Sequence, residues 1–102
     1  MIIVEKESFM SAIPIQKTLS KEELYTLIQN YQKNHDQKSK EMIILSNTKL
    51  VLSLMKRFYQ KSNHYEDLFQ VGIVGLIKAV DHFDTNYQLQ FSTYAVPLII
   101  GE

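Results

Sequence analysis

The sequence predicts an all-α fold with three complete helices and the start of a fourth. Along most of the chain apolar residues recur three and four positions apart, the spacing that places them on one face of a helix. All three glycines follow residue 71 and there are only two prolines, so long helices are possible in the first part of the chain. No segment shows the strict apolar and polar alternation of a half-buried strand.

Length and composition indicate one small domain. The chain has 102 residues, of which 45% are hydrophobic, enough to bury a core. It has no cysteine, which excludes disulfides and favours a reducing compartment. The apolar runs are too short for a membrane span, and the N-terminal residues lack the pattern of a signal peptide. We therefore expect a cytoplasmic location and no membrane contact.

Charge is unevenly distributed although the total is zero. Residues 33–61 carry a net charge of +5, and residues 62–102 carry −4. Because phosphate contacts need only one cationic face, the neutral total leaves nucleic-acid binding open.

The predicted domain begins close to the first helix. Residues 1–17 are expected to form an N-terminal tail or arm, and residues 18–102 the folded domain. No glycine-type stop with basic residues in the last turn ends the last helix before Glu102. We therefore expect the domain to be incomplete at its C-terminal end and the chain to be the front part of something longer.

Local signals place the first two helices. Ser20 and Glu23 form a capping box, which starts a helix that we place up to Tyr31. After a short polar link, two neighbouring apolar stripes predict a second helix over about residues 38–61. A polar loop at residues 62–64 ends it.

The third helix, about residues 66–82, is apolar nearly all round. Such a helix is central to a core or has a partner on its second face. Gly72 and Gly75 each cost about 1 kcal/mol of helix propensity relative to alanine. Their spacing therefore indicates that another helix backbone packs close. After a loop of about residues 84–90, Ser92 is predicted to cap the fourth helix.

No residue pattern indicates catalysis or metal binding. His35, His64 and His82 each lack a second ligand at metal spacing, so solvated histidines are favoured. Asp81 and Asp84 have no nucleophile or phosphate-binding glycine loop beside them, and helix-terminal and loop-capping carboxylates are favoured. The chain is therefore predicted not to be an enzyme, with no cofactor, catalytic residue or metal.

Three segments carry a family resemblance, in the right order and spacing. The segment DLFQVGIVGLIKAVDHFD at 67–84 strongly resembles region 2.2 of the main bacterial sigma factor family. FSTYA at 91–95 is similar to region 2.3, and NTKLV at 47–51 resembles the start of region 2.1. VPLIIGE at 96–102 resembles the sporulation subgroup of sigma-F and sigma-G factors.

The resemblance implies a compact helical sigma region 2 domain that stops before region 2.4. Such a domain docks on the clamp helices of the RNA polymerase β′ subunit, helps to melt the promoter −10 element and captures the non-template single strand. An alternative function remains open. The chain could be a stand-alone interaction module that binds polymerase or an anti-sigma protein without directing initiation.

The resemblance assigns four positions to the polymerase surface. Their spacing of three, three and four residues keeps them on one helix face: Asp67, Gln70, Ile73 and Ile77. The alternative, that Ile73 and Ile77 belong to the core, stays open.

The resemblance also assigns two pockets for flipped −10 bases. Phe91, Thr93 and Tyr94 match an adenine pocket, and Asn47 and Leu50 match a thymine pocket. Extrusion of a base exposes both its face and its edge to the protein. Phe91 and Tyr94 could instead be core aromatics.

Lys49 is the basic residue that we assign to DNA, because it is next to pocket residues in the sequence. A solvated helix face is an equally good interpretation of its charge.

Overall fold

The computed structural model describes residues 19–59, 64–86 and 89–101, and within these ranges it contains four helices and no strand. They are α1 (Lys21–Asn34), α2 (Gln37–Phe58), α3 (Tyr65–His82) and α4 (Phe91–Ile100). The all-α prediction is confirmed. The N-terminal arm predicted at 1–17 and most of the loop predicted at 62–64 lie outside the described residues.

Side-chain caps define the junction of α1 and α2. The predicted capping box is present, with Glu23 N–H donating to Ser20 Oγ at 3.1 Å and Ser20 N–H to Glu23 Oε1 at 2.9 Å. α1 ends three residues later than predicted, where His35 adopts φ 53°. Asp36 then caps α2, and its bonds with Ser39 lower the pKa of its carboxyl.

One core joins all four helices. Its fully buried side chains include Ile28 of α1, Ile43, Val51 and Met55 of α2, and Leu76 of α3. The loop after α3 contributes Phe83, and α4 contributes Phe91. α2 ends at Phe58, three residues before the predicted end, and Tyr59 donates its hydroxyl hydrogen to the Ile100 carbonyl at 2.8 Å.

α3 and α4 approach each other at the two glycines. A Cβ atom at Gly75 would overlap the Leu98 carbonyl oxygen and lie 2.9 Å from the Ile99 Cα. At Gly72 it would lie 2.9 Å from a methyl group of Val51. The predicted close approach of another helix backbone is therefore confirmed, and α4 is that helix.

The ends of α4 differ from the sequence-based expectation. Ser92 does not cap the helix, because Gln90 is the N-cap residue and Ser92 is already helical. At the other end, Gly101 has φ 83° and donates its N–H to the Pro97 carbonyl at 3.2 Å. This left-handed glycine is a common helix end, which the sequence analysis did not recognise.

No helix in the described part of the chain has the length and apolar character needed to cross a membrane.

Candidate functional site

A cleft of about 350 Å³ opens where α1, α2 and the start of α4 meet. This volume is at the lower end of the roughly 300–1,000 Å³ typical of ligand pockets. The cleft is lined by Leu19, Lys21, Leu24, Tyr25, Ser46, Asn47, Gln90, Phe91 and Ser92. Two residues predicted to bind DNA, Asn47 and Phe91, therefore meet in one cleft although they belong to different helices.

Asn47 is held against its own helix. Its Nδ2 donates to the Ile43 carbonyl at 2.8 Å and to Ser46 Oγ at 3.3 Å. These bonds orient the amide group, whose carbonyl oxygen is the atom able to accept a hydrogen bond from a ligand.

Phe91 forms part of the cleft wall from within the core. Only 2% of its surface is exposed. Its ring meets Phe83 edge-on, with 5.3 Å between ring centroids. Phe83 also contacts Tyr25 and Tyr94, each at 5.4 Å, and we call these four residues the aromatic cluster. Buried in this way, the Phe91 ring supports the cleft and does not offer its face to a base.

The other predicted adenine-pocket residues lie in the first turn of α4. Thr93 is exposed and Tyr94 is half-buried on Phe83. Neither lines the cleft. The structure thus brings Phe91 and Tyr94 into one aromatic cluster and leaves Thr93 accessible beside it.

Leu50 and Lys49 are not part of the cleft lining. Leu50 is half-buried and packs against the core. Lys49 is exposed, and at about 100° per residue it lies roughly 200° around α2 from Asn47. A strand that contacts both residues would have to pass over the side of α2.

Sequence reasoning identified only Asn47 and Phe91 among the nine lining residues and missed the other seven, including Tyr25, Ser46 and Gln90. Tyr25 is the most consequential, because its hydroxyl accepts the Phe91 N–H at 3.2 Å. These two residues are 66 positions apart, and no local pattern could have paired them.

A second candidate surface is the outward face of α3. Asp67 and Gln70 are exposed there, whereas Ile77 is half-buried and Ile73 is half-buried against the core. The exposed apolar residues of this helix are instead Val71 and Val74, at 56% and 52% exposure. Val74 follows Asp67 by two helical turns, so the spacing could have identified it. We call Asp67, Gln70, Val71, Val74 and Ile77 the outer face of α3.

The described residues contain no group of three or more histidine, aspartate or glutamate side chains positioned to hold a metal ion.

Comparison with known proteins gives one consistent family. The family model for Sigma-70 region 2 matches residues 43–102. An RNA polymerase sigma-F factor of Bacillus licheniformis is 49% identical over 84 residues, 82% of this chain and 32% of that protein. An RNA polymerase sigma-G factor of Bacillus subtilis is 42% identical over 92 residues, 90% of this chain and 34% of that protein. A sigma-B factor of B. subtilis is 37% identical over 84 residues, 82% of this chain and 32% of that protein.

The chain spans about a third of the length of these relatives. The resemblance to sigma-F and sigma-G factors, predicted from the motifs, is confirmed by the two more similar of them.

Proposed function

Because the chain belongs to the sigma-70 family through its region 2, we propose that it acts in transcription initiation. In this proposal it docks on the β′ clamp helices of RNA polymerase, takes part in melting the promoter −10 element and captures the non-template strand. Its relatives are sigma factors, which are transcription factors and not enzymes. The role is therefore one of binding.

The observation that carries the proposal is the meeting of Asn47 and Phe91 in one cleft of about 350 Å³. The cleft joins the Asn47 amide to the half-buried ring of Tyr25, with Phe91 supporting the wall from within the core, which suits a nucleobase with a flat face and a hydrogen-bonding edge. Base stacking on an aromatic side chain contributes about 1–3 kcal/mol, comparable with the cost of unstacking a base. Capture of flipped bases can thus drive strand separation.

The outer face of α3 supports the docking step. Val71 and Val74 are more than half exposed, with Asp67 and Gln70 beside them on the same helix. An apolar centre with a polar margin is the usual composition of a protein interface. A basic partner helix would pair with Asp67 and cover the two valines.

The experiment measures fluorescence anisotropy of three single-stranded oligonucleotides with the 102-residue chain and polymerase core. One oligonucleotide has a −10-like sequence, and the others replace either the adenine or the thymine that is predicted to flip. Tyr94→Ala should remove the adenine preference, a loss of roughly five- to a hundredfold, and Asn47→Ala the thymine preference. Lys49→Ala, the control for phosphate contacts, should weaken binding to all three alike and reduce its salt dependence.

Two results would contradict the proposal. If Tyr94→Ala and Asn47→Ala leave both preferences intact, the cleft and aromatic cluster do not read bases. If the chain binds polymerase but no oligonucleotide, the alternative of an interaction module that binds polymerase or an anti-sigma protein becomes the better description.

A further inference from the structure

Three side chains of α1 contact the end of α3, the residues just after it and the first residue of α4. Tyr25, Gln29 and Gln32 follow one another at intervals of four and three residues, so they share one face of the helix. Gln32 Nε2 donates to the carbonyls of Val80 and Phe83, each at 2.8 Å. Gln29 Nε2 donates to Thr85 Oγ1 at 2.7 Å. All these contacts are made between residues far apart in the sequence, so α1 helps to determine where Phe83 and Thr85 lie.

Tyr25 makes the contact closest to the cleft. Its hydroxyl accepts the N–H of Phe91, the first residue of α4, at 3.2 Å. Its ring meets Phe83 edge-on at 5.4 Å and lines the cleft. Tyr25 is therefore attached both to the aromatic cluster and to the backbone of α4.

This hydrogen bond supplies an acceptor at a helix start that has no side-chain cap. The first N–H groups of a helix have no intrahelical acceptor, and a side chain of the N-cap residue usually supplies one. Here the N-cap residue, Gln90, makes no such bond. The N–H of Phe91, the first helical residue, finds its acceptor on α1, and the first turn of α4 also contains Thr93 and Tyr94.

We infer that Tyr25 is a positioning residue for strand capture, one that fixes the first turn of α4 against the cleft through its hydroxyl group. The inference rests on the proposed function, because it assigns a role in base preference to a residue that holds the first turn of α4 in place. Without the hydroxyl, the first turn of α4 loses its acceptor and frays. Phe91, Thr93 and Tyr94 then spend less time in the arrangement that accepts a base.

The test compares Tyr25→Phe with Tyr59→Phe in the 102-residue chain. Each change removes one hydroxyl and keeps the ring. Tyr25 binds the first residue of α4 and Tyr59 the last, through the Ile100 carbonyl. The two variants therefore remove similar hydrogen bonds from opposite ends of one helix. If each hydroxyl contributed only to the stability of the domain, the two variants would change base preference equally.

Two measurements separate the variants. The first is exchange of the Phe91 amide proton with water, followed by NMR, which does not depend on DNA. The second is the ratio of affinities, with polymerase core present, for the −10-like strand and the strand with the replaced adenine. Tyr25→Phe should accelerate the exchange and lower the ratio, each roughly two- to tenfold, as expected for one hydrogen bond. Tyr59→Phe should leave both close to the parent values.

The outcomes distinguish this inference from the proposed function. If the parent chain discriminates between the strands and Tyr25→Phe does so equally well, the positioning role is overturned and the proposed function stands. If Tyr25→Phe and Tyr59→Phe lower the ratio equally, the hydroxyl contributes only stability and the inference is again overturned. If the parent chain itself shows no preference, the proposed function fails and the inference fails with it.

Discussion

The two faces of α3 both carry apolar residues but have opposite surroundings. The inward face carries Gly72, Gly75, Leu76 and Ala79, all buried, and α4 lies against its glycines. The outer face carries Val71 and Val74, both more than half exposed. A helix that is apolar nearly all round is thus only half covered by the described residues.

The difference shows two separate uses of apolar residues in one helix. Small residues on the inward face allow two backbones to approach, and a larger side chain there would force α4 away. The branched residues on the outer face have no such restriction and are available to a partner. Substitutions on the inward face should therefore act on stability, and those on the outer face on binding.

The largest effect is expected at Gly75. A Cβ atom there would overlap the Leu98 carbonyl oxygen, a backbone atom that cannot move without displacing α4. Gly75→Ala should lower the free energy of unfolding by about 1–3 kcal/mol, despite the better helix propensity of alanine. Urea unfolding monitored by circular dichroism measures this change as a lower midpoint.

Gly72→Ala is the matched control, because its new methyl group would press on the side chain of Val51 and not on backbone. It should cost less than Gly75→Ala. Equal or reversed costs would show that the approach of α4 does not limit the inward face.

The second largest effect is expected on polymerase binding, from substitutions on the outer face of α3. Val74→Asp and Asp67→Arg should each weaken binding to the isolated β′ clamp helices about tenfold or more, because one places a charge in an apolar contact and the other reverses a pairing charge. Stability should change by no more than about 0.5 kcal/mol, as is usual for exposed positions.

Met42→Asp provides the control for this experiment, since Met42 is 46% exposed on α2 and not part of the outer face. It should bind the clamp helices like the parent chain. Parent-like binding by Val74→Asp and Asp67→Arg would show that the docking surface lies elsewhere.

The smallest effect concerns the pKa of Tyr31 in α1, to which Asp81 at the end of α3 contributes. Burial, the charge of Asp81 and a hydrogen bond to it, in that order, raise the pKa of Tyr31 above its ordinary value of about 10. A raised pKa means that the neutral hydroxyl stabilises the fold below about pH 10. This contribution is lost as the pH rises through the pKa of Tyr31 in the folded protein.

Ultraviolet titration of the tyrosines, taken as the difference between the parent and Tyr31→Phe, should report this pKa. Asp81→Asn should move it back towards the ordinary value. An unchanged titration in Asp81→Asn would remove Asp81 from the causes and leave burial as the main one.

Local features were predictable to within a few residues. The capping box at Ser20 starts α1 as predicted, and the glycine spacing of α3 correctly predicted the close approach of another helix. One error missed a local signal, the left-handed Gly101 that ends α4, and another arose where a neighbouring helix replaced a local signal. The residue type of Ser92 favours a cap of α4, but Gln90 is the N-cap residue. The Tyr25 hydroxyl of α1 accepts the N–H of Phe91, the first helical residue.

The candidate site was only partly predictable, because its residues come together from different helices. The motifs identified the segments around Asn47, Phe91 and Asp67, and the comparisons confirm the family to which they point. The roles of the individual residues remain predictions. What the motifs could not show is that Phe91 is buried, because its burial depends on how the helices pack together.

The sequence by itself determined the helical class, the approximate helices and the family, because each depends on residues within one or two turns or on an ordered set of motifs. The tertiary structure alone decided that Phe91 is buried, which residues form the cleft and what holds the start of α4. These depend on contacts such as that between Tyr25 and Phe91, which are 66 positions apart. Burial and hydrogen bonding at such distances arise only when the helices pack together, and no local pattern encodes them.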